Sequence, residues 1–291
     1  MDGVKQIVIV VINMPKAFAV DLTFHGPITI KPPLLSTAST TYVVPPPSTL
    51  FGALYYAYAG YFGNYQEVVE SNGRKCSPVV NWVVKKRAGG TSGGNGANGD
   101  YGGVVNRVAT EEPILIDATM IINEPLYQQP PVTHTIERAF NWIRSSKEKQ
   151  VFTVGYIGLS FIKSATIIYV VRDDYLEDLK RVAWGIVRIG RKEGLVSVDR
   201  VYDVEPLNSP IGVQFINVVG YFPYNAAEGY NVNLYQNFPD PYDEHTYCGG
   251  DVKLITYAVA ASPTRINIKG IKADFKPVKI KDESYVIVRW Q

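Results

Sequence analysis

Cysteine is almost absent from this chain of 291 residues: there are only Cys76 and Cys248. Two thiols exclude a disulfide scaffold and an all-cysteine zinc centre. They read as free thiols that could pair if the fold brings them together, as in some intracellular thermophile proteins. Histidine is nearly as scarce, with His25, His134 and His245 far apart, which argues against a conventional zinc enzyme. Long apolar runs are missing too. The longest, residues 49–62, would span about 21 Å as a helix, short of a bilayer core of roughly 30 Å. Ile7–Ile12 is too short for a secretory h-region, so the expected location is cytoplasmic, with no membrane partner. Charged residues are few at 19%, and the net charge is +2, so the whole molecule is no polycation. No repeat of solenoid period occurs.

What is present is an apolar fraction of 46%, ample for a sizeable core, and 20 tyrosines. Tyrosine joins flat apolar area to a polar tip and suits interfaces and base stacking. Val4–Ile12 reads as a buried strand, followed by an extended piece, Phe18–Phe24. Pro45-Pro46-Pro47 resists helix, Ser48 is a natural N-cap, and a helix is expected over Thr49–Phe62. Val79–Arg87 and Val104–Ala109 read as strands flanking residues 88–103, where eight of sixteen positions are glycine. Ile114–Ile122, Val151–Phe161 and Ala165–Arg172 read as further strands, and Ile136–Arg144 as a candidate short helix. Asp174–Ile189 is amphipathic and Leu195–Val204 alternates. Later strands are expected at Val213–Phe222, Lys253–Ala261 and Ser284–Trp290. With the Gly-rich hairpin and residues 124–150 taken as insertions, the order is βαββαβ: an α+β, ferredoxin-like (RRM-like) arrangement with a β-rich C-terminal extension.

Charge is divided unevenly. Residues 31–110 carry a surplus of four positive charges, 199–251 a deficit of seven, and 253–291 a surplus of five. The basic stretches could meet phosphates and the acidic one would repel them, unless all three are simply solvated surface. Two motifs sharpen this. Val44–Leu54, VPPPSTLFGAL, joins a rigid proline turn to a helix start whose free N–H groups could receive a phosphate over Ser48 and Thr49, or it is only a well-capped core helix. Arg188–Val198, RIGRKEGLVSV, places Arg188, Arg191 and Lys192 around a bend opened by Gly190 and Gly194. It lacks the Gly-Lys-Ser/Thr ending of a nucleotide P-loop. The plainer reading is a helix C-cap whose cations complement the dipole.

These two blocks, in this order, resemble the fifth CRISPR-associated protein family, especially its archaeal type I-A branch within the RAMP superfamily. The blocks cover about two dozen residues, and the βαββαβ order extends the likeness over 1–205. Arg191 and Gly194 depart from the small polar residues expected there. The resemblance implies a RAMP domain at 1–205 with a β-hairpin thumb at about 78–115, and a β-rich extension at 206–291. It implies a non-catalytic subunit of a type I-A Cascade in antiviral defence. Such a subunit grips the 5′ handle of the CRISPR RNA, contacts the repeating backbone subunit and the large subunit, and meets target DNA only through the complex. No cofactor and no metal are expected. The residues expected to meet RNA are Lys31, Thr37, Ser48, Thr49, Lys85, Lys86, Arg87, Arg107, Arg138, Arg188, Arg191 and Lys192.

One branch of the family cuts precursor CRISPR RNA without metal, which needs a base, an acid and a cation. His25, His134, Lys85 and Lys86 are the nominees here, and they form no recognisable constellation. Asp240, Asp243, Glu244 and His245 lie close in sequence and read as a solvated loop, with a metal site as the lesser alternative. The alternatives to an RNA-capping subunit are therefore a metal-independent endoribonuclease and an adaptor that binds only protein neighbours.

Overall fold

The computed structural model describes residues 14–30, 32, 41–63, 65–71, 73–84, 113–124, 127–137, 152–191, 193–207, 216–230, 232, 234–260, 266–280 and 284–290. In chain order the elements are β1 (Pro15–Phe24), α1 (Pro47–Tyr61), β2 (Val69–Ser71), β3 (Arg74–Cys76), α2 (Val80–Val83), β4 (Leu115–Ile122), β5 (Tyr127–Glu137), β6 (Phe152–Phe161) and β7 (Ser164–Arg172). A single 3-10 turn then leads into α3 (Leu176–Ala183) and β8 (Val196–Val204). The remainder is β9 (Ile216–Val218), β10 (Gly220–Pro223), β11 (Ala227–Glu228), β12 (Tyr235–Pro239), α4 (His245–Cys248), β13 (Leu254–Ala260), β14 (Ile266–Ile268), β15 (Gly270–Ile271), β16 (Phe275–Lys279) and β17 (Ser284–Arg289). The protein is mixed α+β, rich in strands and poor in helix. Among the described residues no helix is long and apolar enough to cross a membrane.

Alternation builds the central sheet. Along β1, Phe18, Val20, Leu22 and Phe24 point one way, while Ala17, Ala19, Asp21 and Thr23 point the other. Such a strand belongs in the middle of a sheet, and the sheet order is β4-β7-β1-β8, with every pairing antiparallel. The first face is covered by α1 and α3 through Leu50, Leu54, Leu179 and Val182. Phe18 stacks on Tyr169 with centroids 5.4 Å apart. Each such ring, fully buried, stabilises the fold by roughly 2–3 kcal/mol. Small side chains let the helices approach: a Cβ placed on Gly185 would lie 3.6 Å from that of Ala57.

The second face is divided. Ala17, Ala19, Ile168 and Val170 lie under Val278 of β16, Val286 and Val288 of β17, and Trp290 just after it. Beyond that cover the same face is polar. The Asp21 carboxylate accepts hydrogen bonds from Arg200, Thr166 Oγ1 and Tyr202 Oη. β9, β14, β16 and β17 form one extension sheet, and β10, β12 and β13 a second. The 205/206 boundary expected from sequence falls just after β8.

Several local readings are corrected. The first strand of the sheet is Pro15–Phe24, and Val4–Ile12 lies outside the described residues. Val79–Arg87 does not begin as a strand: Val80–Val83 is a helical turn that buries Trp82 against Tyr55 and Tyr58. Most of the segment assigned to the thumb, residues 85–112, lies outside the described residues. A long hairpin is described elsewhere, β5 with β6, in a stretch whose sequence pattern is ambiguous. Ile136 and Glu137 are its strand residues, not a helix start. α3 ends at Ala183 rather than running to Ile189, because Trp184 and Gly185 turn the chain. Cys76 and Cys248 are not free thiols but a disulfide that closes a separation of 172 residues.

Candidate nucleic-acid interface

The bend after α3 is a tight backbone loop. Ile189 N–H donates to Gly194 O at 2.8 Å, and Val196 N–H donates to Val187 O at 3.0 Å. Gly190 sits at φ 78°, where a side chain is strained, and its Cβ would also meet Ile30 Cγ1 at 2.9 Å. A Cβ on Gly194 would lie 2.2 Å from Ile189 O. Gly26, at the end of β1, shows the same intimacy from the other side: its Cβ would lie 2.1 Å from Glu193 O. His25 N–H donates to Leu195 O at 2.9 Å. Gly26 and Gly190 thus clamp the loop onto residues 25–30, while Gly194 closes the loop on itself.

That clamp faces outward with its cations. Arg188 and Arg191 are both exposed, and Glu193 in the same turn offsets part of their charge. Arg188 lies over the ring of Tyr56 on α1, 5.2 Å from its centroid, a cation–π contact that fixes its direction. Tyr56 in turn meets Tyr65 edge-on at 5.9 Å. Tyr65 is 60% exposed and Trp184, four residues before Arg188, is 55% exposed. These rings offer flat area beside the cation.

The segment beneath the loop is itself closed at both ends. Ile30 N–H donates to Thr41 Oγ1 at 2.9 Å, and Tyr42 N–H donates to Ile30 O at 3.0 Å. The chain therefore leaves at Ile30 and returns at Thr41 beside Gly190. Lys31 follows Ile30 directly and, like Thr37, lies outside the described residues. The β5–β6 hairpin is rooted at the same place: Ile28 and Ser160 exchange backbone hydrogen bonds at 2.8 and 3.0 Å. Arg138, next in sequence after Glu137, lies outside the described residues, as do Lys85, Lys86, Arg87, Arg107 and Lys192. His134 pairs with Gly155 within the hairpin.

The start of α1 differs from its sequence reading. The N-cap position is Pro46, with no side-chain capping bond, and Ser48 lies inside the first turn. Proline at Pro46 and Pro47 removes two of the donors that a bare helix start would show. Thr49 N–H is also occupied, donating to Pro46 O at 2.9 Å. Pro45, Pro46 and Pro47 are buried, and Tyr221 Oη donates to Pro45 O at 2.7 Å. Ser48 and Thr49 remain half-exposed. Ser48 is eight residues before Tyr56, about 12 Å along the helix. The two are joined by the row Ser48, Gly52, Tyr56, Gly60, each four residues on and therefore neighbours on one face. A Cβ on Gly52 or Gly60 would meet nothing within 4 Å among the described residues. An open track thus leads from Ser48 to the Tyr56–Arg188 pair.

Residues that sequence reasoning left without a partner, passed over or misread complete the picture. His25 Nε2 and Ser197 Oγ are 3.0 Å apart at the edge of the loop, and Thr23 Oγ1 donates to Asp199 at 2.7 Å beside them. The alternation of β1 against β8 was the signal for that cluster: Thr23 opposes Ser197 directly. The acidic cluster 240–245 is not a solvated loop. Asp240 is buried, accepts from Tyr242 N–H at 3.0 Å and pairs with Lys253 at 3.2 Å. Asp243 meets His245 at 3.0 Å, and Glu244 accepts from Ser71 Oγ at 2.7 Å. The carboxylates serve separate partners and do not converge. Nearby, Asp117 of β4 accepts from Ala118 N–H, Arg289 N–H and Tyr242 Oη, which joins the sheet to the extension. Its burial raises the carboxyl from 3.8 to about 6 despite those donors.

No family model and no curated protein matches the chain. A solved structure does: the crystal structure of a CRISPR protein from Archaeoglobus fulgidus, with 19% sequence identity and a TM-score of 0.53. The match covers 95% of this chain and 100% of that one. At this identity the likeness is one of fold.

Proposed function

We propose that the chain is a CRISPR-system subunit that binds RNA without cutting it, capping the 5′ handle of the CRISPR RNA at one end of a type I-A Cascade. The strand order β4-β7-β1-β8 with α1 and α3 on one face fits a ferredoxin-like RAMP domain. The fold shared with a CRISPR protein supports the system. The observation that carries the site is the glycine-clamped loop: Arg188 and Arg191 are exposed on it, and Arg188 stands at the end of an open row from Ser48, its guanidinium already paired with Tyr56. Guanidinium groups would hold phosphates bidentately, and Tyr56, Tyr65 and Trp184 would stack unpaired bases. The backbone and large subunits of the complex are the proposed protein neighbours.

The test is fluorescence anisotropy of labelled handle RNA at several salt concentrations. R188E/R191E is expected to weaken binding about 100-fold. Removing one ion pair to phosphate lowers the slope of log K against log salt by roughly 0.7. Wild-type affinity and slope in the double variant would remove the loop from the site.

A second reading has its own observation. His25 is within hydrogen-bond reach of Ser197 and is held by its backbone to Leu195 of the same loop. On that reading His25 acts as the base for a 2′-hydroxyl in a metal-independent endoribonuclease. Incubating precursor RNA with the protein in EDTA separates the two. Discrete cleavage lost in H25A supports the nuclease, and intact RNA supports the capping subunit.

A further inference from the structure

The disulfide lies where a third ligand-bearing side chain also points. Cys76 ends β3 and is buried, and Cys248 ends the short helix α4. Glu244, one turn before Cys248, completes a group whose two sulfurs and carboxylate oxygen all lie within 4.8 Å of one another. Glu244 Oε1 is 3.9 Å from Cys248 Sγ and accepts a hydrogen bond from Ser71 Oγ at 2.7 Å. Such a bond orients a carboxylate in the way outer partners orient metal ligands. Ser77 N–H donates to Tyr247 O at 2.8 Å, so the two segments stay in register without help from sulfur.

We propose that, once reduced, Cys76, Cys248 and Glu244 form a binding site for a borderline-soft divalent cation, zinc above all. The same three residues hold the 240–248 segment to the β2–β3 hairpin in either redox state. A dithiol gives two electrons and two protons to the S–S bond, leaving two thiols, and becomes its own disulfide. Zn²⁺ then displaces both thiol protons to solvent and takes two thiolates and one carboxylate, with water in the fourth tetrahedral position. The sulfurs must part to sit at about 2.3 Å from the ion. Gly249 and Gly250, at φ 71° and 117°, follow Cys248 directly, and Gly73, at φ 73°, turns β2 into β3. β2 and β3 form their own two-stranded sheet and α4 lies outside the central one, so a shift of either ligand segment leaves the central pairing intact. Thiolates favour zinc over magnesium or calcium, which take oxygen ligands.

The full chain is reduced under argon with a phosphine, which becomes its oxide with water's oxygen as water's protons reach the thiols. Co²⁺ is then titrated in and Zn²⁺ added. One equivalent of Co²⁺ is expected, with a thiolate-to-cobalt charge-transfer band that Zn²⁺ abolishes. The oxidised chain should show no band, and C248S should lose it while far-UV circular dichroism stays native. E244Q keeps both thiols and the staple, and should bind Zn²⁺ at least tenfold more weakly. The proposal is overturned by a reduced chain without the band, by equal binding in the oxidised chain or C248S, or by wild-type affinity in E244Q.

Discussion

The loop at 188–195 and the start of α1 each set special-backbone residues beside polar side chains, glycine in one and proline in the other, and the fold treats them oppositely. In the loop, glycine brings two backbones together so that Arg188 and Arg191 are left outside. At the helix start, proline removes donors and the extension closes over it through Tyr221. Glycine exposes a site here and proline buries one. The contrast teaches that a helix N-terminus is an anion site only where its N–H groups exist and face solvent. The cationic loop is the stronger half of the proposed interface, and Ser48 is the outer end of its track.

The largest effect expected tests how firmly the extension is seated on the central sheet. Asp117 is the buried carboxylate at that junction, with its folded value raised from 3.8 to about 6. Between those values the folded chain keeps a proton that the unfolded chain has released. Stability therefore falls as pH rises through this window and is level above it. A shift of about two units corresponds to roughly 3 kcal/mol. Urea midpoints at pH 4, 5, 6 and 7, taken as the difference between wild type and D117N, isolate this contribution. A difference that does not change over that range would show that the carboxylate is not desolvated and that the junction is open.

Next comes the clamp itself. Gly26→Ala sets a Cβ 2.1 Å from Glu193 O, a backbone atom that cannot swing aside. The loop must lift from residues 25–30, at a cost of about 2 kcal/mol, and RNA affinity should fall about tenfold with both arginines still present. A stable variant with wild-type affinity would show that the clamp does not position the cations. On the covered side, Tyr221→Phe removes the donor to Pro45 O inside a fully buried pocket. It should cost about 1 kcal/mol in urea denaturation and leave RNA binding unaltered.

Much of this is legible in the residues alone, and for identifiable reasons. β4, β6, β7, β8, β13 and β17 announce themselves by β-branched runs, and their observed limits fall within about a residue of the sequence reading. The β5–β6 hairpin is not legible because Pro130 and Pro131 interrupt the pattern. The pairing register shifts between Gln129 and Val132, a bulge that accommodates the prolines. Val80–Val83 reads as strand by composition and is helical because Trp82 must reach Tyr55 and Tyr58. In the site, Gly190 and Gly194 mark the bend. Nothing local to Gly26 could reveal that it touches Glu193, a contact between the ends of two neighbouring strands far apart in sequence. The disulfide is legible only as a possible pairing of the two cysteines, since 172 residues separate its halves.

The smallest effect expected is the one that separates the two regions most cleanly. Ser48 looks like a capping residue, and losing a cap costs about 1 kcal/mol. In the fold it makes no capping bond, and Pro46 holds the N-cap position. Ser48→Ala should therefore move stability by no more than about 0.5 kcal/mol, the range of an ordinary surface change. Its hydroxyl still opens the track toward Tyr56, so handle RNA should bind two- to threefold more weakly, against about 100-fold for the loop arginines. A stability loss near 1 kcal/mol would restore Ser48 as a cap and return weight to the helix start. An affinity loss as large as that of the arginine pair would make the proline-built start, not the glycine-built loop, the principal phosphate site.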